Sequence, residues 1–252
     1  MCAPFGLYDA YMMGMGDQDR MRFRVVATDY DGTLANNGRV DKKSLQTLAG
    51  VRESGRKLLL VTGRELDSLR SVFPQLGVFD LIVAENGALL YHPSTGEERV
   101  LGKSPPAAFV EMLRRSGANP LSIGRSIVAT VKPYEVAAYQ AIEELGLNWQ
   151  IVLNRESVMV LPVGRDKSTG FRAAMAELRL PIASAVGIGD AENDEAFLSL
   201  CGFSVAVANA IPSLKERVDL VTSAENGSGV VEALQKLLAS EDSLAMAQPR
   251  TQ

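Results

Sequence analysis

The chain of 252 residues contains one histidine and two cysteines, and this scarcity excludes several kinds of catalytic and metal site. Zinc sites with two histidines are impossible, and any Ser-His-Asp or Cys-His arrangement would have to use His92. Because His92 precedes Pro93 in a segment typical of a turn, we interpret it as a surface residue. Cys2 and Cys201 cannot form a framework of disulfides, so we predict a cytoplasmic protein.

Long apolar runs and runs of basic residues are also absent from the sequence. No apolar run approaches the roughly 18 residues of a membrane span, so we expect no membrane partner. The net charge of −4 argues against a nucleic-acid partner, because such partners select basic surfaces. The start of the chain lacks the cationic residues of a signal peptide. We expect a flexible extension over residues 1–21 and a disordered tail over 239–252.

Hydrophobic residues make up 46% of the chain, which is enough for a substantial core. Short apolar runs alternate with helical patterns over residues 22–87 and 165–238, and this alternation predicts parallel βαβ units. The segment 88–164 between them has its own pattern of a hairpin, two helices and further strands. The predicted fold class is therefore α/β, with a Rossmann-like parallel-sheet core and an inserted α+β domain.

Polar residues follow three of the predicted strands. Asp29 and Asp31 come after the apolar residues 25–27, Thr62 comes after LLLV, and Asp190 comes after AVGIG. In an open α/β sheet the carboxyl ends of the strands meet at one edge, where ligands bind. Carboxylates are hard oxygen ligands suited to Mg²⁺. Taken singly, each of these residues is also an ordinary turn, cap or strand residue, so the interpretation depends on their joint order along the chain.

Four segments resemble, in order, the motifs of the haloacid dehalogenase-like (HAD) hydrolase superfamily. They are DYDGT, LLLVTGR, GRDKSTG and AVGIGDAENDEAF, which contribute Asp29 with Asp31, Thr62, Lys167, and Asp190 with Asp194. About a hundred residues separate the second segment from the third, and ENGA at 85–88 is similar to the sequence that precedes an α+β cap domain. The resemblance therefore indicates subfamily IIB, with its Cof-like and sucrose-phosphate-phosphatase-like members. One departure is Asp166-Lys167-Ser168, where that branch usually has Asn-Lys-Gly.

The resemblance implies a Mg²⁺-dependent phosphatase that hydrolyses a small phosphorylated substrate through an aspartyl-phosphate intermediate. In that chemistry Asp29 is the nucleophile, and Asp31 is the general acid and base. Asp194 is expected either to hold a metal-bound water or to orient Lys167. The implied metal ligands are Asp29, Asp31 through its backbone carbonyl, Asp190 and Asp194. The implied phosphate-binding residues are Thr62, Gly63, Lys167 and Asn193.

The insertion is expected to select the substrate, since all four motifs lie outside it. A cap over the crevice favours small substrates, and we expect a sugar phosphate first, followed by phosphoglycolate or a phosphorylated polyol. Cap movement would use linkers near residues 85–88 and 162–166, with Gly87 and Gly164 absorbing the backbone change. The candidates for residues on the substrate side are Arg64, Asn86, Arg125 and Arg155.

Two other functions share these motifs. A phosphomutase of the same cap type would return the phosphoryl group to a reoriented sugar, and a test for isomerised sugar phosphate would reveal it. A non-catalytic sensor would bind a phosphorylated metabolite without turnover. Such proteins commonly lose a nucleophile or an acid, whereas this chain keeps Asp29 and Asp31. Phosphate release from a generic phosphomonoester separates the enzyme from the sensor.

Overall fold

A computed structural model of the protein describes residues 21–241. The flexible extension predicted for residues 1–21 lies outside the described residues except for Met21. The disordered tail predicted for residues 239–252 lies outside them from residue 242 onwards.

The described chain continues past the predicted start of the tail, because Glu241 has partners beside the first strand. Its carboxylate accepts hydrogen bonds from the backbone N–H groups of Arg22, at 2.9 Å, and Phe23, at 3.2 Å. The guanidinium of Arg56 forms an ion pair with the same carboxylate at 2.9 Å. These contacts join the end of the described chain to its beginning.

The alternation of strands and helices predicted for the core is present in the structure. The strands are β1 (Val25–Thr28), β2 (Lys57–Val61), β3 (Leu81–Ala84), β4 (Leu89–Tyr91), β5 (Glu98–Val100), β6 (Ser122–Ile123), β7 (Val128–Val131), β8 (Trp149–Asn154), β9 (Ser157–Pro162), β10 (Ala185–Gly189), β11 (Phe203–Ala206) and β12 (Leu220–Val221). The α-helices are α1 (Lys42–Glu53), α2 (Leu66–Val72), α3 (Ala107–Arg115), α4 (Glu135–Glu144), α5 (Lys167–Glu177), α6 (Glu195–Leu198), α7 (Pro212–Lys215) and α8 (Asn226–Ala239).

The large sheet has the strand order β12-β11-β10-β1-β2-β3-β4-β5. The strands from β12 to β3 in this order are parallel, with β1 paired between β10 and β2. Every residue of β1 and β10 is buried, as expected for parallel strands with helices on both faces. The predicted α/β fold with a parallel-sheet core is therefore confirmed.

Helices cover both faces of the large sheet. On one face, α1 and α8 pack through apolar side chains that include Leu48, Val51 and Leu234. On the other face, α5 and α6 pack through Phe171 and Phe197, whose rings are 5.9 Å apart. The two layers bury the sheet between them.

Capping residues determine where two of these helices begin. Asp41 accepts a hydrogen bond from the Ser44 backbone N–H at 2.8 Å and is the N-cap of α1. Asp166 accepts a hydrogen bond from the Thr169 N–H at 2.8 Å, and the Thr169 hydroxyl accepts one from the Asp166 N–H at 3.1 Å. Because aspartate and asparagine are both good N-caps, Asp166 at this position preserves the start of α5, and with it the placement of Lys167.

The hairpin formed by β4 and β5 extends the large sheet, although the sequence pattern grouped it with the insertion. β4 pairs antiparallel with β3, and β5 pairs antiparallel with β4. An alternating pattern predicts a hairpin but does not specify which sheet it joins. The unit with its own sheet therefore begins after Val100 instead of at residue 88.

The insertion forms a second, antiparallel sheet with the order β6-β7-β9-β8. Helices α3 and α4 pack on it around a separate apolar core. Phe109, Leu113, Ala138, Trp149 and Val160 belong to this core. The structure thus contains the α+β insertion that the sequence predicted.

The remaining expectations from composition concern single residues and helix length. Cys201 packs beside Gly187, where a Cβ would lie 2.7 Å from its sulfur, and burial raises the pKa of the thiol. His92 is partly exposed beside the β4–β5 hairpin and pairs with Glu177. Among residues 21–241, no helix has the length and apolar character required to cross a membrane.

Candidate active site

The predicted site residues that follow strands lie at one edge of the large sheet. Asp29 directly follows β1, Thr62 follows β2 and Asp190 follows β10. Since β1 is paired in parallel with both β2 and β10, the three carboxyl ends are adjacent. Segments far apart in the sequence thereby meet at the edge where ligands of open α/β sheets bind.

A buried lysine joins two of the carboxylates. Lys167 is the first residue of α5, and its Nζ lies 2.5 Å from Asp29 Oδ1 and 2.6 Å from Asp194 Oδ1. Only 1% of Lys167 is exposed. The other oxygen of Asp194 accepts the backbone N–H groups of Asp190 and Ala191. Both oxygens of Asp194 are therefore occupied, and its carboxylate holds Lys167 in place.

The ionisation of these groups reflects burial and mutual charge. Burial would lower the pKa of Lys167, but the charges of Asp194 and Asp29 outweigh it and raise that pKa. Burial raises the pKa of Asp29 well above 3.8, and the nearby Lys167 only partly opposes this. Burial and the charge of Asp194 raise the pKa of Asp190 to about 6. The cluster thus has more negative charge than its buried lysine neutralises.

This excess of negative charge fits a metal cation. Oxygen atoms of Asp29, Asp190 and Asp194 lie within 4.8 Å of one another. Carboxylate oxygens are the ligands that Mg²⁺ prefers, and the described part of the chain brings no histidine or cysteine into this group. Gly32 is required beside the cluster, because a Cβ at this residue would lie 2.5 Å from Asp190 Oδ2.

Asp31 points its carboxylate toward a different partner. Arg64 donates to both Asp31 oxygens, at 2.5 and 2.7 Å, and its guanidinium stacks over the ring of Tyr30. The side chain of Asp31 is 43% exposed, so this ion pair faces the opening of the site. Of the four residues predicted as metal ligands, Asp31 alone keeps its carboxylate outside the acidic cluster. This position agrees with the expectation that Asp31 would bind a metal through its backbone carbonyl and not through its side chain.

The predicted phosphate-binding residues lie close to the cluster. The hydroxyl of Thr62 is buried and accepts the Arg64 backbone N–H at 3.1 Å. The Asn193 amide donates to the Asn86 side chain at 3.3 Å. This contact leaves Asn86 Nδ2 and Asn193 Oδ1 buried without a hydrogen-bond partner. Gly63 lies against the insertion, since a Cβ there would be 2.9 Å from the sulfur of Met159.

A cavity of about 870 Å³ lies between this edge of the sheet and the insertion. Its walls come from both units of the chain. Core residues in the lining include Asp29, Asp31, Asn36, Thr62, Gly63, Arg64 and Lys167. Residues of the insertion in the lining include Ser122, Thr130, Asn154, Arg155, Ser157 and Met159. The insertion therefore covers the carboxylates in the way expected of a cap.

The structure separates the four substrate-side candidates. Arg64 and Arg155 line the cavity, and Arg155 donates to Asp190 at 2.5 Å. Asn86 lies behind the wall, where it contacts Asn193. Arg125 does not line the cavity, because its guanidinium pairs with Asp67 and Glu98 on the core.

Two residues that lie outside the four motifs also support the site. Asn209 donates to the Gly32 carbonyl at 2.7 Å and accepts the Asn226 N–H at 2.8 Å, so it braces the loop after β1. Glu85 is fully buried and accepts backbone N–H groups from the insertion. The sequence contains a signal for each of them, since Asn209 follows a buried strand and Glu85 belongs to the segment ENGA.

Comparison with known proteins identifies the family. A sequence profile of the haloacid dehalogenase-like hydrolases matches residues 26–115 and 137–234. Phosphoglycolate phosphatase 2 of Saccharolobus solfataricus is 34% identical over 224 residues, covering 85% of this chain and 92% of that protein. The phosphoglycolate phosphatase of Archaeoglobus fulgidus is 33% identical over 221 residues, covering 85% of this chain and 96% of that protein.

The architecture is also found among solved structures. A HAD subclass IIB sugar phosphatase aligns with a TM-score of 0.68 and 16% identity, covering 85% of this chain and 98% of that one. The phosphatase relatives and the matched family confirm the predicted enzyme class, a hydrolase of phosphoric monoesters. The chain therefore belongs to the haloacid dehalogenase-like hydrolase family.

Proposed function

We propose that this phosphatase hydrolyses a small phosphorylated metabolite with the aid of Mg²⁺, through an aspartyl-phosphate formed on Asp29. The observation that carries the proposal is the position of Asp29 in the cavity wall, paired with the buried Lys167. Lys167 occupies Asp29 Oδ1, and no described residue donates a hydrogen bond to Oδ2. That second oxygen is therefore available for attack on phosphorus.

In the first step, Asp29 Oδ2 forms a bond to phosphorus while the bond to the leaving oxygen breaks. Asp31 donates a proton to that oxygen. When Asp31 is protonated, one of its oxygens becomes an O–H donor. The hydrogen bond from Arg64 to that oxygen must then break. In the second step, water attacks phosphorus while the bond between phosphorus and Asp29 Oδ2 breaks. Asp31 takes a proton from the water, inorganic phosphate leaves, and the Asp29 carboxylate is restored.

The charge of the phosphoryl group is met by donors on this chain. Lys167 uses two of its three N–H groups on Asp29 and Asp194, which leaves one for a phosphoryl oxygen. Thr62 and the Gly63 backbone border the same cavity. The unpaired amide of Asn86 is a further donor beside this wall.

The metal would be held by Asp29 and Asp190, with the backbone carbonyl of Asp31 as a third ligand. When bound, Mg²⁺ would offset the repulsion between the carboxylate of Asp29 and the dianionic phosphate. Asp194 accepts hydrogen bonds from Lys167 and from the backbone N–H groups of Asp190 and Ala191, so it would hold Lys167 and the loop after β10 in place.

The first substrate candidate is phosphoglycolate or a similar phosphomonoester with a carboxylate. Two arginines, Arg64 and Arg155, line the cavity and would attract a second anionic group. The names of the relatives described above point to the same substrate. This order reverses the expectation from sequence, in which a sugar phosphate came first.

A sugar phosphate is the second candidate. The cavity of about 870 Å³ is larger than phosphoglycolate requires, and hydroxyl and amide side chains line it on the insertion side. Ser122, Thr130 and Asn154 are among them. A phosphomutase of the same cap type remains the alternative reaction, and formation of an isomerised sugar phosphate would distinguish it.

The test is phosphate release by the purified protein from phosphoglycolate, several sugar phosphates, a polyol phosphate and p-nitrophenyl phosphate. We expect release that requires Mg²⁺, stops with EDTA and is absent in Asp29→Asn. Release of phosphate at an equal rate in EDTA, or by the Asp29→Asn variant, would contradict the proposal.

A further inference from the structure

The turn formed by residues 85–87 connects three parts of the molecule that surround the cavity. Its backbone N–H groups donate to the loop 62–64 after β2, which we call the phosphate-side loop. Glu85 N–H donates to the Arg64 carbonyl at 2.8 Å, and Asn86 N–H donates to the Thr62 carbonyl at 3.0 Å. Gly87 touches the start of α5, where a Cβ would lie 1.8 Å from the Asp166 carbonyl oxygen. Gly87 is thus needed for close packing, and its use as a hinge of the insertion stays a prediction.

The third connection runs through the side chain of Glu85 into the insertion. Its two oxygens accept the backbone N–H groups of Arg125, at 2.8 Å, and Ser126, at 2.7 Å. Glu85 has no exposed surface, so these hydrogen bonds are shielded from water. A buried carboxylate must be satisfied by such donors, and bonds to a charged acceptor are stronger than neutral ones.

The backbone of the turn also indicates that Glu85 and Asn86 are needed at these two positions. Glu85 and Asn86 have φ angles of 54° and 50°, in the left-handed region that is unfavourable for residues with a Cβ. Gly124 provides space for the Glu85 carboxylate, since a Cβ at Gly124 would lie 2.5 Å from Glu85 Oε1. The residue types on both sides of the contact therefore agree with it.

The loop held by Glu85 lies between two strands that line the cavity. β6 ends at Ile123 and β7 begins at Val128, so residues 124–126 belong to the short loop 124–127 that connects them. Ser122 of β6 and Thr130 of β7 are part of the lining. A displacement of this loop would move the wall that faces the leaving group, whereas the acidic cluster would keep its place on the core.

We propose that Glu85 is a positioning residue, which fixes the 124–126 loop of the insertion to the phosphate-side loop 62–64 and thereby controls selectivity for the leaving group. This inference rests on the proposed function for its kinetic consequence, but the contact itself can be measured without any substrate. Glu85 touches neither the cavity nor the reacting atoms.

The first experiment compares amide hydrogen exchange in the wild type and Glu85→Gln by NMR. Glutamine has nearly the same volume but presents an N–H₂ group to one of the two donors. The amides of Arg125 and Ser126 should exchange roughly 10- to 100-fold faster, as expected for the loss of a hydrogen bond to a charged acceptor. Amides of the central strands should be unchanged. Equal protection of both loop amides in the two proteins would overturn the proposal.

The second experiment is kinetic and uses phosphoglycolate and p-nitrophenyl phosphate. In Glu85→Gln, the kcat/KM for phosphoglycolate should fall by about tenfold or more, mainly through KM, with less than about a threefold change for the aryl ester. Gly124→Ala should cause the same shift, because its methyl group displaces Glu85. The double variant should lose less than the sum of the two, since both changes break one contact.

Two controls separate positioning from stability and charge. Glu97→Gln removes the same charge from an exposed carboxylate of the β4–β5 hairpin and should leave the ratio of the two substrates unchanged. Arg125→Ala removes the ion pairs with Asp67 and Glu98 but retains the backbone N–H held by Glu85, so it should shift the ratio less than Glu85→Gln.

An equal loss on both substrates, accompanied by a lower melting temperature, would assign Glu85 a purely structural role. Absence of phosphate release from both esters would refute the proposed function, while the exchange data would still decide the contact.

Discussion

Replacing Asp190 by asparagine is expected to stabilise the metal-free protein at pH 8. Burial and the charge of Asp194 raise the pKa of Asp190 from 3.8 to about 6, so the folded chain keeps this proton to a higher pH than the unfolded chain does. As pH rises from about 4 to 6, Asp190 ionises in the unfolded chain but stays protonated in the folded chain. Ionisation therefore stabilises the unfolded state and lowers the free energy of unfolding. The contribution of Asp190 to stability therefore decreases over this window and remains unfavourable above it.

The size of the effect follows from the shift. A difference of about two pKa units, at about 1.4 kcal/mol for each, gives a penalty of about 3 kcal/mol above pH 6. Asparagine removes this penalty and can still accept the hydrogen bond from Thr33. The ion pair with Arg155 is lost as well, but its attraction already opposes the shift from which the penalty is taken, so it is not subtracted again. We expect a net gain of about 3 kcal/mol.

Urea unfolding in EDTA at pH 4.5 and pH 8 measures this gain as the difference in free energy of unfolding between Asp190→Asn and the wild type. The gain should be present at pH 8 and small at pH 4.5, and Glu97→Gln should show no such pH dependence. Added Mg²⁺ should stabilise the wild type at pH 8 more than Asp190→Asn, because binding to the folded state adds stability by mass action. The reasoning is refuted if Asp190→Asn is no more stable than the wild type at pH 8, or if Mg²⁺ stabilises both equally.

Three further substitutions test the remaining parts of the site. Asp29→Asn should abolish turnover and retain the circular dichroism spectrum of the wild type, since an amide is no nucleophile; any turnover near the wild-type rate would contradict this. Lys167→Met should lower the free energy of unfolding by about 3–5 kcal/mol in EDTA at pH 8, because it leaves two buried carboxylates unpaired; urea titration measures it, and a loss below about 1 kcal/mol would contradict it. Arg155→Ala should reduce kcat/KM for phosphoglycolate more than for p-nitrophenyl phosphate, whereas an equal reduction would mean that Arg155 acts on the phosphoryl group.

The core of the fold and the acidic cluster were predictable from the sequence, because each depends on a local pattern. Apolar runs followed by Asp29, Thr62 and Asp190 mark strand ends, and parallel pairing then brings those ends together. Asp41 could be identified as a helix cap from the residues beside it alone. These features require no knowledge of distant contacts.

Other features depend on contacts between segments far apart in the sequence. The pairing of Arg125 with Asp67 and Glu98 joins residues of the insertion to the core, so sequence alone could not show that this arginine lies outside the cavity. The burial of Glu85 is similar, since its two donors lie forty residues away or more. The hairpin of β4 and β5 was predicted as a hairpin, but its addition to the large sheet depends on tertiary packing.

Covalent labelling tests the central claim most directly, which is that Asp29 receives the phosphoryl group. The protein is mixed with a substrate carrying a radiolabelled phosphoryl group in Mg²⁺, quenched rapidly in acid and digested, and the labelled peptide is identified by mass spectrometry. The account predicts label on the peptide that contains Asp29 and none in Asp29→Asn. With p-nitrophenyl phosphate, whose leaving group departs without a proton, it predicts a larger amount of label in Asp31→Asn, because water is no longer activated to remove it. Phosphate release by the wild type without label on this peptide in either the wild type or Asp31→Asn, or with label on another residue, would contradict the account.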